Sequence, residues 1–447
     1  LKLLTATSLI MGCSASVVPD FHGNYVLGKK IGKGSFTQVH VACTRKKIGS
    51  NEVVVKIGTL CDAGLSKQRS SLSQIKFEML RLNGSGNPLN VNAEAGSCSP
   101  SHPKDRKKCL AAYYEACVWA TVGAHPNCVR MRGSFFDDYL YYIVLEKHQT
   151  SLISYVTQMA RVSEKTLAEA FAQMLCGIRH IHSRRILHQD IKPSNFVVGG
   201  GDGRTIKLTD FRSASYVPKG MKVTCIAGTP QFRCPEMVNK QGTDLKGDLW
   251  SFGVVSFIFL CGDLPYSVFK THSTQVDDGE GIMLNVGSGV APDCNMPWLS
   301  KRAVGFLSSL LQPRPDFRPS AATALEMPFI ANCEEESQCL LAVVKKARKN
   351  KVFDEPDLME QSSVDVILER FQRGELVSSS KALDHGHANE FLKATPVCVN
   401  QTVETFFSLV DSQIKPQVED AMSTDSTTCS RKSSKESSSC ALPQACL

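Results

Sequence analysis

The residues of this chain best suited to phosphate chemistry are a lysine, two aspartates and an asparagine placed at the ends of apolar runs. In Ile186-Leu187-His188-Gln189-Asp190-Ile191-Lys192-Pro193-Ser194-Asn195-Phe196-Val197-Val198, Asp190, Lys192 and Asn195 stand at offsets 0, 2 and 5. Their loop lies between a helical stretch and a hydrophobic strand pair, which sets three polar groups around one point. After the turn Gly200-Gly201-Asp202-Gly203, the run Ile206-Lys207-Leu208-Thr209-Asp210-Phe211 ends on a second carboxylate. Two carboxylates and an amide oxygen can accept a proton and hold a hard cation such as magnesium. Upstream, Ile31-Gly32-Lys33-Gly34-Ser35-Phe36-Thr37-Gln38-Val39 places two glycines between strands, where backbone amides approach phosphate oxygens unobstructed. Alone, such a pair is more often a turn. No Gly-Lys-Ser/Thr ending is present and a strand follows, so neither the P-loop nor the dinucleotide-binding pattern fits. Lys56 closes the run Val53-Val54-Val55. A lysine there is usually a solvated strand end, but this one lies where it can reach phosphates held at the glycine turn.

Holding these groups together requires both sheet and helix. Residues 25–57 read as strands, with Gly49-Ser50-Asn51 as a hairpin turn. Residues 60–108 are rich in Ser, Gly, Asn, Pro and Lys and read as a flexible insertion, with a short helix expected at 75–82. Helical periodicity covers 110–122, and strands are expected at 129–131 and 140–145. Helices dominate beyond Thr150, notably at 165–182 and in the apolar run 249–261. Strands first and helices afterwards imply an α+β protein of two lobes. Amphipathic pieces at 363–371 and 403–410 are expected to pack on the lobes or bind a partner, and from about Ser423 the Ser-, Thr- and Lys-rich tail reads as disordered.

Composition narrows the class. The 447 residues carry 51 Lys plus Arg against 43 Asp plus Glu, a net charge of +8 with no long basic block. A dedicated nucleic-acid binder is therefore not expected. No uncharged apolar run approaches the roughly 18 residues a spanning helix needs. The 18 cysteines are scattered, with no Cys-x-x-Cys pair, and no secretory signal leads the chain, which points to a reducing, cytoplasmic setting. Met11-Gly12-Cys13-Ser14-Ala15-Ser16 fits the N-myristoylation pattern, which implies that residues 1–10 are spurious and Met11 the true start. Gly12 would then carry a myristoyl chain and Cys13 a palmitoyl chain, giving peripheral membrane association.

Taken in order along the chain, these motifs resemble the catalytic domain of the eukaryotic protein kinases, of the serine/threonine type, over residues 25–330. The resemblance implies a bilobal kinase-like fold: leader 1–24, β-rich N-lobe 25–147 interrupted by the insertion, helical C-lobe 148–331, a partly helical extension 332–422 and the tail 423–447. It implies ATP and Mg2+ as cofactors, protein Ser/Thr hydroxyls as substrates, and a role in signalling by phosphorylation. Carried over residue by residue, Ile31, Gly32, Gly34, Val39 and Val54 enclose the nucleotide, and Lys56 holds its α- and β-phosphates. Glu115 pairs with Lys56, in preference to Glu78, because its helix leads to His125-Pro126-Asn127. Leu145, Glu146 and His148 form the adenine hinge. Asp190 accepts or orients the substrate proton, Lys192 touches the γ-phosphate, and Asn195 and Asp210 hold the metal. Thr229, in Gly228-Thr229-Pro230, belongs to the substrate loop, and Arg318 pairs with Glu236. Trp119, Met131, His188 and Phe211 stack into the core that links the lobes.

Three positions depart from the pattern. Thr37 replaces a third glycine, a change catalysis should survive. Gln189 replaces the arginine that would pair with an activation-loop phosphate, so phosphate on Thr224 should matter little. Arg212 replaces the glycine of Asp-Phe-Gly and restricts the loop after a metal ligand. These departures motivate a rival reading, a pseudokinase acting as a nucleotide-binding scaffold, against which stands the presence of Lys56, Asp190, Asn195 and Asp210. Zinc at His180, His182 and His188 is not expected, since no fourth ligand is suitably spaced. Ser194 gives no support for selection of arginine near the target residue.

Overall fold

Valine-rich runs separated by turns make the first half a sheet, because branched side chains pack well on a pleated surface. The computed structural model describes residues 20–33, 37–45, 52–60, 103–137, 139–265, 291–332, 338–350, 352, 363–373, 381–382, 386 and 388–394. The chain divides into two compact units, and Glu404–Leu447, the second, contains none of these. Gly12, Cys13, Gly34, Glu78, the turn 49–51, the helix expected at 75–82, the piece 403–410 and the tail 423–447 lie outside the described residues.

A short helix α1 (Phe21–Asn24) leads into β1 (Tyr25–Lys33), β2 (Thr37–Thr44) and β3 (Glu52–Thr59); α2 (Pro103–Val122), β4 (Met131–Phe136) and β5 (Leu140–Glu146) complete the β-rich lobe. The strand pairs are antiparallel, with Val39 opposite Lys56 and Lys56 opposite Ile143. Along β3 the side chains alternate as the pleat requires. Val53, Val55 and Ile57 enter a core with Phe21, Phe135, Leu140, Tyr142 and Val144, which leaves Val54 and Lys56 on the opposite face.

The second lobe holds β6 (Thr150–Ser151), α3 (Leu152–Gln158), α4 (Glu164–Ser183), β7 (Ile186–Leu187), β8 (Phe196–Gly199), β9 (Thr205–Leu208), β10 (Ser215–Tyr216), α5 (Pro235–Val238), α6 (Lys246–Cys261), α7 (Lys301–Leu310), α8 (Ala321–Glu326) and α9 (Pro328–Ala331). A capping box starts α4: Ser163 Oγ accepts from Thr166 N, and Thr166 Oγ1 accepts from Ser163 N, both at 3.3 Å. Helix α6 is buried on every side from Gly247 to Leu260, so its apolar residues form no stripe. Arg318 crosses to Glu236 in a buried bidentate pair, Nη1 to Oε1 and Nη2 to Oε2, each 2.7 Å. Removing one partner of such a pair costs about 3–5 kcal/mol, because the other charge is left buried alone.

The extension returns to the first lobe. After α10 (Leu341–Lys349) against α6 and α3, α11 (Ser363–Gln372) buries Val364 and Ile367 in the β-lobe core. Next, β11 (Lys381–Ala382) pairs with β4, and α12 (Ala388–Ala394) packs on α2. The sheet order is therefore β1-β2-β3-β5-β4-β11.

Three boundaries differ from the sequence reading. Phe21, assigned to the leader, is fully buried and stacks on Tyr142 at 4.2 Å, because an aromatic is needed to close the sheet's outer face. Residues 103–108, assigned to the insertion, begin α2; their basic side chains hid a helix whose first residue, Pro103, suits an N-terminal turn. The strand expected at 129–131 begins only at Met131, since Val129 N bonds instead to Leu208 O of the second lobe, at 2.9 Å. Among the described cysteines nine are free thiols, whereas Cys225 is disulfide-bonded, a pairing that scattered spacing does not reveal.

Because Ile367 is fully buried and Glu369 exposed on the same helix, Ile367→Ala should destabilise the β-lobe by about 2–5 kcal/mol and Glu369→Ala by less than about 0.5. Urea unfolding followed by circular dichroism measures both, and equal midpoints would remove α11 from the core.

Candidate active site

Pleat alternation aims Lys56 away from the apolar core, and two carboxylates from distant segments meet it. Its ammonium lies 2.7 Å from Glu115 Oε1, on α2, and 2.6 Å from Asp210 Oδ1, just beyond β9. Burial, the largest influence on Lys56, would lower its pKa, but Asp210 and Glu115 outweigh it and hold the group well above the ordinary lysine value. Burial likewise works to raise the Asp210 pKa, and Lys56 and Arg212 overcome it, so the carboxyl stays far below the usual range. Both groups are ionised at neutral pH.

The loop after β7 is held by a buried carboxylate. Asp248 accepts from His188 N at 2.8 Å, Gln189 N at 2.9 Å and His182 Nε2 at 2.8 Å. These bonds secure Gln189 at φ +65°, a left-handed conformation that non-glycine residues seldom adopt. Asp190 then faces a set of donors. Oδ2 accepts from Asn195 Nδ2 and lies beside Lys192 Nζ, both at 3.1 Å; Oδ1 accepts from Thr229 N at 2.9 Å and Thr229 Oγ1 at 2.8 Å. Lys192 Nζ donates to that same hydroxyl at 2.9 Å. Gly228 at φ +70° allows this approach, since a Cβ there would stand 2.0 Å from Gln189 O.

Hairpin register joins the two carboxylate segments. Phe196 lies opposite Leu208, and Thr209 N donates to Asn195 O at 3.0 Å, so Asn195 and Asp210 lie at one end of the β8–β9 pair. Phe211 is fully buried between Trp119, at 4.7 Å between rings, and His188, at 5.2 Å. Met131 is only half-buried. Tyr114 of α2 accepts from Tyr216 N of β10 at 3.0 Å, a further tie between the helix and the second lobe.

Of the nucleotide-wall candidates, Val54 and Leu145 are buried cross-strand neighbours, Val39 is opposite Gly32, and Ile31 is 44% exposed. Glu146 turns aside, accepting from Arg130 N and Lys207 Nζ at 2.9 Å each. His148, in the connection to β6, has its pKa lowered by burial. The three histidines weighed as metal ligands have separate tasks. His180 Nε2 bonds to Val122 O at 2.8 Å and its ring stacks on His125, while His182 and His188 bond to Asp248 Oδ2 and Thr209 O. Burial and the neighbouring His180 and Arg184 push His125 down to about 4. The cleft lined by Arg179, His182, Arg185, Lys246 and Ser320 contains none of the candidate nucleotide-binding, catalytic or magnesium-holding residues. Asp248 stands in Asp248-Leu249-Trp250-Ser251-Phe252-Gly253, a landmark of the kinase resemblance, whereas Ser215, whose hydroxyl donates to Gln189 Oε1 at 2.6 Å, gave no signal in sequence.

The protein kinase domain model matches residues 98–330, more than half of the chain. The chain belongs to the eukaryotic protein kinase superfamily. It is 29% identical to a protein named Aurora kinase from Schizosaccharomyces pombe over 331 residues, 73% of this chain and 78% of that one. It is 25% identical to CBL-interacting protein kinase 20 of Oryza sativa over 427 residues, 89% of this chain and 79% of the relative. With serine/threonine-protein kinase RAD53 of Saccharomyces cerevisiae the identity is 30% over 220 residues, 46% of this chain and only 26% of the relative.

In this kinase Gln189 joins β10 through a neutral bond, and its Nε2 also donates to Cys225 Sγ at 3.6 Å. The loop needs no phosphate to neutralise a cation at that position. Thr224→Ala should keep turnover within about twofold of wild type, while Ser215→Ala, which strands a buried amide oxygen, should cost severalfold. A tenfold loss in a steady-state assay of Thr224→Ala would refute this.

Proposed function

We propose that this serine/threonine protein kinase transfers the γ-phosphate of ATP to protein hydroxyls with Asp190 as the group that orients and accepts the substrate proton. The observation that carries this reading is the bonding of Asp190: Oδ1 already takes a hydroxyl hydrogen from Thr229, 2.8 Å away, so it can take one from an incoming serine or threonine. Lys192, beside Asp190 and Thr229, supplies positive charge where the transferred phosphoryl group becomes more negative. Lys56, kept protonated, holds the other phosphates, and the apolar faces of Val54 and Leu145 receive the base.

The donor set also suits magnesium. Asn195 spends its amide nitrogen on Asp190 O and Oδ2, leaving its side-chain oxygen as an acceptor, and Asp210 is an ionised carboxylate of which only Oδ1 meets Lys56. Both are hard oxygen ligands. The ion, when bound there, offsets charge on the phosphate oxygens. Against the scaffold alternative, Lys56, Asp190, Asn195 and Asp210 are all retained, with Lys56 paired to Asp210 and Asn195 bonded to Asp190.

We also propose a cytoplasmic signalling role, with anchorage through Gly12 and Cys13 if Met11 is the start. Two acyl chains hold a membrane stably, whereas one is marginal. Intact-mass measurement of protein expressed from Met11 in a eukaryotic host should show a myristoyl adduct; an acetylated or bare terminus would end that proposal.

The transfer itself is tested with labelled Mg-ATP and a generic basic protein. Asp190→Asn should lower labelling by about 10^2–10^4-fold, the usual worth of a positioned acid–base group. Equal labelling by wild type and variant would favour the scaffold.

A further inference from the structure

One residue that departs from the family pattern, Arg212, also carries a buried nitrogen without a hydrogen-bond partner among the described residues. Arg212 follows Phe211, and the burial of Phe211 against Trp119 and His188 fixes where the arginine side chain leaves the backbone. Its guanidinium is largely buried and feels Asp210, Glu115, Tyr141 and Asp190. Its Nη1 has no hydrogen-bond partner among the described residues, and neither has Glu115 Oε2. A permanently charged fork and a carboxylate, each with one buried atom still to be bonded, thus attract each other beside Lys56 without a direct hydrogen bond between them among the described residues.

Lys56 is overcommitted in this arrangement. One ammonium serves Glu115 and Asp210 at once, at 2.7 and 2.6 Å, and bound phosphates would compete for the same three hydrogens. Glu115, only 1% exposed, would then keep a charge with a weakened partner, which a dry environment penalises. Counting Lys56, Lys192 and Arg212 against Glu115, Asp190 and Asp210 gives neutrality, and glycine in place of Arg212 would leave one negative charge over.

We propose that Arg212 is a positioning residue for the transfer reaction: its guanidinium serves as the second cation of Glu115 and keeps α2 docked on β3 while Lys56 turns to the phosphates. The role rests on the kinase reading of Lys56. It assigns the replaced glycine a gain, a helix held in place from the loop itself, in exchange for lost backbone freedom.

The test uses the full chain with two variants of similar bulk, Arg212→Met, which removes the charge, and Arg212→Lys, which keeps it. Hydrogen exchange of α2 amides is followed with a non-hydrolysable ATP analogue and magnesium, beside kcat and KM for ATP. Arg212→Met should speed α2 exchange about tenfold and lower kcat by a similar factor with KM changed less than about threefold, and Arg212→Lys should stay near wild type. In a Glu115→Gln background the Arg212→Met substitution should add nothing, because the pair is already broken. Unchanged α2 exchange in Arg212→Met, failure of Arg212→Lys to restore it, or an undiminished effect beside Glu115→Gln would each overturn the proposal. A wild type that transfers no phosphate would count against the kinase reading, and the exchange data would still decide the pairing.

Discussion

One buried ammonium sets the terms for the whole molecule. Lys56 can lose its hydration only if carboxylates replace it, and the two that do so come from a helix and from a segment just beyond a strand far along the chain. Strand β3, helix α2 and the segment after β9 are therefore bound to a common point. A buried ion pair of this kind adds little net stability compared with apolar packing. Its value is in specifying an arrangement: misplacing any of the three elements leaves a charge buried alone. The same condition keeps Lys56 and Asp210 ionised, as phosphate and metal binding both require.

Around that point the catalytic loop is held by a close set of hydrogen bonds, some to charged groups and some between neutral ones. Asp248 collects three donors, Ser215 closes on Gln189, and Thr229 shares one hydroxyl between Lys192 and Asp190. Each bond fixes a side chain before any substrate arrives, which is how orientation lowers a barrier. The strain of Gln189, at positive φ, is held by these contacts, and Asp210, also at positive φ, is held by Lys56.

The extension acts on the same machinery from behind. Helix α11 covers the core face of β3 while Lys56 occupies the other face, and α12 lies on α2, the helix that carries Glu115. Lys30 reaches Asp365 at 3.2 Å, but both are partly exposed, so apolar burial of Val364 and Ile367 carries the contact. The rear surface of a two-lobed catalytic unit is thus completed by residues that follow it in the chain.

Much of this was legible in the sequence. Valine-rich runs bounded by turn residues pointed to strands, and the spacing of Asp190, Lys192 and Asn195 pointed to a polar loop before a strand pair. The order of the motifs gave the fold class and the superfamily, because the backbone propensities and motif spacings involved are local. Pairings between distant residues were not legible in that way. The core role of Phe21, the choice of the first lobe by α11, the pairing of β11 with β4, the three bonds of Asp248 and the unpartnered atoms of Arg212 and Glu115 all depend on packing between residues far apart in the chain. Sequence by itself determined which groups were available for phosphate chemistry. Only the tertiary structure decided which of them share a charge, since desolvation and Coulomb attraction act through space and take no account of distance along the chain.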